Sequence, residues 1–286
     1  MPESFTPRAR LKADSNRSPK VAVMACENAI NGTDILRGEV ELAYAGDDLA
    51  DRALFANTAV DRIVPAQAPD AGLDVTVENY FEWAIETPPF EGQVPDIPGV
   101  TWVDDLEPYI ERKLFTVNTG HATAAWFGYA AGIEKISDAL ADPEVGARVR
   151  AVLVETASLI VAKHGVDAAT QAAYVEKILK RFANPYLPDT TLRVGRAPLR
   201  KLSRNERFIS PAAQLAERGM PRAALLQAVG AGLRFNPPGD TEAAEVQALL
   251  ASETATGFTE KVTGLGATHP LFADVVAVVE AHQSAG

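Results

Sequence analysis

The chain has 286 residues, enough for one large domain or two of ordinary size. Hydrophobic residues make up 47% and charged residues 23%, so a sizeable buried core is available. The formal net charge of −11 argues against a nucleic-acid partner, and the single cysteine, Cys26, excludes an internal disulfide. The opening residues, MPESFTPRARLKADSNRSPK, lack the apolar core of a secretion signal. No apolar run approaches the ~20 residues of a membrane helix, so a cytoplasmic location is expected.

The first candidate strand is VAVMAC, Val21–Cys26, continuously apolar as a strand buried on both faces would be. Cys26 in that setting reads as a small buried hydrophobe. ENAINGTD ends the strand. A helical pattern follows over Thr33–Ala45, with Ile35, Leu36, Val40 and Leu42 as its apolar positions. AVDRIVP and LDVTVEN are two further strand candidates, rich in valine and isoleucine and bounded by proline, glycine or aspartate. Strand and helix thus alternate over the first ninety or so residues, which predicts a parallel or mixed α/β sheet.

The segment Glu86–Gly99, ETPPFEGQVPDIPG, holds four prolines and two glycines and reads as a connector. Residues 1–95 are therefore expected to form the α/β portion and residues 96–286 a larger helical domain. DLEPYIERKLFTVNTGHATAAWFGYAAG suits one long helix or two joined ones. The stretch from Asp142 to Gly165 begins with an aspartate cap and proline and ends in lysine, histidine and glycine. Another helix is expected over DAATQAAYVEKILKRFAN, and several more follow Pro211.

Three groups of residues are suited to chemistry. Lys113, Asn118 and His121 sit among apolar neighbours. On an α-helix Asn118 and His121, three apart, share a face, and Lys113, about 140° from Asn118 and 80° from His121, comes within reach of that face if its long stem bends. A desolvated lysine can accept a proton from an alcohol. An amide can hold an oxygen gaining charge, and a histidine can orient a hydroxyl. Spacing alone favours the plainer reading, a helix with a snorkelling lysine and a satisfied core histidine.

Asn28 directly follows a predicted strand, at the edge where open α/β sheets bind ligands; Glu27 faces that cleft or caps the next helix. Ordinary turn chemistry explains the same residues equally well. Arg193, Arg196, Arg200, Lys201, Arg204 and Arg207 cluster in an otherwise acidic chain, a pattern suited to phosphate or carboxylate. The four histidines are too dispersed to form a metal-ligand pair. There is no G-x-S-x-G elbow, no Walker loop and no well-placed G-x-G-x-x-G.

Lysine, four residues, asparagine, two residues and histidine, set beside ACENAINGT, AVDRIVP, VTVENYFEW, RFANPYLPDTTLRVGRAPLRKLS and HPLF, resembles the polyol-specific long-chain dehydrogenases of the mannitol dehydrogenase family. The resemblance runs from about Pro19 onward. RVGRAPLRKL points to the branch acting on phosphorylated substrates. The resemblance implies a Rossmann-type unit followed by a helical substrate domain, with NAD as cofactor and a small sugar or polyol phosphate as substrate. It implies interconversion of mannitol 1-phosphate and fructose 6-phosphate. Lys113 would then be the general base, Asn28 and Asn118 the oxyanion holders and His121 the orienting group. Asp61, Arg193, Arg196, Arg200 and Lys201 would contact substrate, and Glu27 and Asn28 would border the cofactor. Measured against that family, the chain opens about 100 residues into a Rossmann domain, beyond the glycine-rich cradle. Weak NAD affinity follows as an expectation; the chain is then a truncated product, or a separate chain supplies the missing half, or the start site is misassigned. A non-catalytic binding or assembly module is the alternative.

Overall fold

The computed structural model describes residues 20–27, 29–64, 67, 70 and 72–285. The chain divides into two compact units. One comprises the described residues up to Val64 together with Thr76–Ile110; the other comprises those of Pro65–Val75 and of Glu111 onward.

The first unit holds two small sheets. In one, β1 (Val21–Val23) pairs in parallel with β2 (Ala53–Phe55), Val21 opposite Ala53 and Val23 opposite Phe55. The crossover carries α1 (Gly32–Ala43) and α2 (Leu49–Arg52). In the other, β3 (Thr58–Asp61) runs antiparallel to β4 (Glu82–Glu86), and β4 runs parallel to β5 (Val100–Val103). Fully buried Ala84 and Ile85 give β4 the central place that an apolar strand favours.

Several expectations change here. β1 is three residues long and only half-buried. Cys26 lies beyond it and is exposed, not a core residue. LDVTVEN forms no strand, and Leu73 is 99% exposed; the segment is tied to Ile63 through Glu78, whose N–H donates to the Ile63 carbonyl at 3.3 Å, without building a ladder. On α1, Val40 is buried while Ile35 and Leu42 face solvent. The proline-rich segment connects β4 to β5 of one sheet, through a short 3₁₀ turn at Pro88–Phe90. Its prolines fit because the turn needs no regular backbone donors there.

The second unit is helical. α3 (Glu107–Arg112), most of which still belongs to the first unit, leads to a π-helical turn, Lys113–Asn118, and then to α4 (Thr119–Ala130). α4 is apolar all round, and Ala122–Gly128 are all buried, as a central helix must be. After α5 (Ile136–Ala141) comes α6 (Pro143–His164). The Asp142 carboxylate caps α6 by accepting from the Glu144 and Val145 N–H groups at 3.0 and 2.9 Å, and Gly165 ends it at φ 65°. Next follow α7 (Ala168–Phe182), α8 (Thr191–Gly195) and α9 (Pro198–Lys201). The chain closes with α10 (Ile209–Glu217), α11 (Ala223–Leu233), α12 (Thr241–Ser252), α13 (Ala255–Thr263) and α14 (Phe272–Ala285).

Close packing fixes α4 against α8 and α11. The Trp126 indole donates to the Gly195 carbonyl at 2.9 Å and stacks on Phe208 at 4.5 Å. A Cβ on Gly232 would stand 2.6 Å from the fully buried Trp126 ring. Gly→Ala inside a helix normally stabilises by about 1 kcal/mol. At Gly232 the sign inverts: Gly232→Ala is expected to destabilise by about 1–3 kcal/mol through overpacking, read as a lower urea midpoint.

Candidate active site

The π-turn resolves the geometric difficulty in the Lys113–His121 spacing. The Thr119 N–H bonds to the Leu114 carbonyl, five residues back, so this turn takes about one residue more than an α-helical one. Lys113 and Asn118, five apart, therefore stand close to one turn apart rather than 140° out of register. His121 follows Asn118 by three α-helical residues, so the backbone brings the three side chains to one helix face. Leu114–Val117 between them are buried. The turn is stitched to the arginine-rich segment through Thr119, whose hydroxyl faces the Arg207 carbonyl at 2.6 Å and that of Leu114 at 3.0 Å. With one proton and the Leu114 oxygen already bonded by an N–H, the hydroxyl is suited to donate to Arg207.

His121 is enclosed. Its ring stacks on Phe182, 4.6 Å between centroids and 11° between planes, and its Nε2 lies 3.4 Å from Asp189 Oδ2. Asp189 is 3% exposed, and its Oδ1 is paired with the Arg193 guanidinium. The surrounding segment is pinned by backbone. The Ile136 N–H donates to the Asp189 carbonyl at 3.0 Å, and the Thr191 N–H donates to the Glu134 carbonyl at 2.8 Å.

Burial pushes the His121 pKa down to about 4; Asp189 opposes this, while Arg193, Arg207 and Arg181 reinforce it. The imidazole is thus neutral at physiological pH. An unfolded histidine titrates near 6.5, so between pH 6.5 and 4 the unfolded chain binds more protons. Stability is lost as pH falls through that window, by about 3 kcal/mol in all. Urea midpoints at pH 7 and pH 5 measure the loss, and His121→Phe is expected to remove this contribution.

Lys201 is 4% exposed, and its ammonium donates to the Arg196 carbonyl. Burial, with Arg207 and Arg200 nearby, pushes its pKa down to about 7. Arg207 is also buried, with its Nε on Glu206 at 3.0 Å. Between Arg196 and Lys201, Ala197 takes the left-handed conformation at φ 59°, and its N–H is held by Asp240 at 3.0 Å. A strained non-glycine residue of this kind costs about 1 kcal/mol or more and often marks a functional segment.

The other expected residues are placed differently. Arg196 is exposed and lines an open cleft of about 350 Å³ with Leu192, Asp240 and Glu242. Arg200 is exposed and paired with Glu206. In the first unit, Asp61 is buried at the end of β3, opposite Glu82 in the ladder. Glu27 is exposed beyond β1, and Asn28 lies outside the described residues. Asp189 and Phe182 were not anticipated. The four-residue spacing from Asp189 to Arg193, an ion-pair spacing on a helix, was the available signal for the first.

A helical face carrying lysine, asparagine and histidine, backed by a buried cationic segment and following a small α/β unit, defines a two-part fold of the dehydrogenase class. The family models agree. Residues 3–99 match the mannitol dehydrogenase Rossmann domain and residues 105–280 the mannitol dehydrogenase C-terminal domain. The chain belongs to the mannitol dehydrogenase family. It is 62% identical over 268 residues to mannitol-1-phosphate 5-dehydrogenase of Paenarthrobacter aurescens, covering 93% of this chain and 70% of that protein. It is 57% identical over 265 residues to the Aspergillus niger protein of the same name, covering 91% and 68%. Among solved structures, Pseudomonas fluorescens mannitol 2-dehydrogenase, in ternary complex with NAD and D-mannitol, matches at TM-score 0.69 and 20% identity. That match covers 92% of this chain and 59% of that one. A substrate-free D-sorbitol dehydrogenase matches at TM-score 0.73 and 19% identity, covering 96% and 62%. The chain thus spans about three fifths of either solved structure. No helix among the described residues is long and apolar enough to cross a membrane.

Proposed function

We propose that this chain carries the chemistry of an NAD-dependent polyol-phosphate dehydrogenase, interconverting mannitol 1-phosphate and fructose 6-phosphate. The π-turn that gathers Lys113, Asn118 and His121 on one face is the observation that carries the reading. In this scheme the neutral Lys113 amine accepts the proton of the reacting hydroxyl. The Asn118 amide donates to the oxygen as negative charge grows there. His121, uncharged, holds the substrate hydroxyl in register. Arg193, Lys201 and Arg207 supply positive charge for the phosphate, with Arg196 and Arg200 on the exposed part of the same segment. Asp61 would accept from a polyol hydroxyl.

The residues present suit the nicotinamide end of the cofactor. β1 and β2 run parallel, and Glu27 lies exposed past the carboxyl end of β1, the edge at which such sheets bind nucleotides. Glu27 and Asn28 would hold it there. NAD, when bound, supplies the acceptor for the hydride leaving the carbinol carbon.

Calorimetry with fructose 6-phosphate, fructose and NAD tests the reading. It predicts binding of NAD and a clear preference for the phosphorylated sugar. A folded chain that binds neither NAD nor fructose 6-phosphate would leave the binding-module alternative.

A further inference from the structure

Asp189 presents an unresolved polar contact. One carboxylate oxygen is committed to Arg193, yet Oδ2 is fully buried and makes no hydrogen bond. A buried carboxylate oxygen without a donor costs about 1–3 kcal/mol or more. His121 Nε2 lies 3.4 Å from it, outside the geometry of a hydrogen bond. Phe182, stacked flat on the imidazole, restricts the ring to rotation in its own plane. The backbone bonds from Ile136 and Thr191 hold the aspartate segment still. A small in-plane shift of the imidazole would give Oδ2 its donor, provided that the ring carries its proton on Nε2.

We propose that Asp189 is the positioning residue of His121: it fixes the imidazole as the Nε2–H tautomer, leaving Nδ1 as the acceptor for a substrate hydroxyl. This rests on the reading of His121 as the orienting group. Catalytic hydrogen bonds are commonly long before substrate binds and shorten in the complex, which suits the 3.4 Å separation. Asp189 also joins His121 to Arg193, so hydroxyl orientation and anion contact share one carboxylate. The charged groups facing the imidazole are Asp189, Arg193, Arg207 and Arg181. Three are cations, so a proton held between His121 and Asp189 is favoured over a second proton on the ring.

The experiment is ¹⁵N NMR of the histidine rings in the full chain, with His121→Gln assigning the His121 signals. Wild type is expected to show the neutral Nε2–H form at pH 7. Asp189→Asn is expected to shift His121 toward the Nδ1–H form or a mixture. It should also lower kcat by on the order of tenfold or more, with a smaller change in KM, and Asp189→Glu should recover part of both. An Nδ1–H form in wild type, or an unchanged tautomer in a folded Asp189→Asn, would overturn the proposal. Should Asp189→Asn fail to fold, the wild-type spectrum alone decides. The tautomer is read without turnover, so an inactive wild-type chain with the expected spectrum would count against the proposed reaction and not against the pairing.

Discussion

Replacing Lys113 with alanine is expected to lower kcat for fructose 6-phosphate reduction by about 100- to 10,000-fold, the usual contribution of a positioned acid or base. KM should change little, because the lysine acts on the proton of one hydroxyl while the arginine-rich segment holds the anion. Lys113→Arg is expected to be almost as inactive. A guanidinium keeps its proton at any working pH, so it preserves charge but can neither give a proton to the new hydroxyl in reduction nor take one from it in oxidation. Asn118→Ala should cost about 10²- to 10³-fold, as loss of an oxyanion donor does. Steady-state kinetics on the three variants separates these roles, and near-normal turnover in Lys113→Ala would remove the base assignment.

The second large effect concerns Lys201, and it has opposite signs in function and in stability. Lys201→Met is expected to raise KM for the phosphorylated substrate about 10- to 100-fold, the worth of a charged hydrogen bond of roughly 1.5–3 kcal/mol. The buried ammonium titrates near 7 in the fold but near 10.5 in the unfolded chain. Between those values the unfolded chain binds more protons, so stability rises with pH across the window. Below pH 7 the penalty of burying the charge is fully present. Lys201→Met should therefore stabilise the fold at pH 7 by about 1–3 kcal/mol, discounted for the lost bond to the Arg196 carbonyl. That gain should fade toward pH 10.5. In the wild type, affinity for fructose 6-phosphate should weaken as pH rises through about 7, and the variant should lack that limb. Calorimetry from pH 6 to 9 and urea unfolding over the same range measure both.

Such a trade is expected where a site is built for an anion. Lys201 and Arg207 of this segment lie in the interior, and Glu206, the carboxylate paired with Arg207, is shared with Arg200. Thr119 ties this segment to the π-turn through the Arg207 carbonyl. The charge cluster and the proposed acid–base face are thereby joined by a hydrogen bond, an arrangement that suits preorganised catalysis.

What the sequence disclosed follows from how local each feature is. Asp142, Pro143 and Gly165 bound α6 because capping is decided within a few residues. The helical character of residues 119–130 was equally plain, since apolar residues surround nearly all of it. The π-turn was not legible, because α- and π-helical bonding differ by one residue in hydrogen-bond partner and not in composition. Read as an α-helix, the spacing placed Lys113 off the face that Asn118 and His121 share.

Likewise, β2 is the three residues Ala53–Phe55, too short to carry a period. LDVTVEN carries the period but forms no strand. Enclosure of His121 depends on Phe182 at the end of α7 and on Asp189, both far along the chain from it. The arginine cluster drew attention by its charge, yet it is Asp189 that joins one of its members, Arg193, to His121. A lone aspartate in NPYLPDTT looks like a turn residue until the chain is folded.

The most direct test is the turnover of the intact, folded chain with NADH and fructose 6-phosphate, with the product identified by mass spectrometry. The account predicts NADH oxidation matched one-for-one by mannitol 1-phosphate, abolished in Lys113→Ala and much weaker with unphosphorylated fructose. A folded chain that consumes no NADH at saturating fructose 6-phosphate and cofactor, or whose Lys113→Ala variant turns over as fast as wild type, would contradict it.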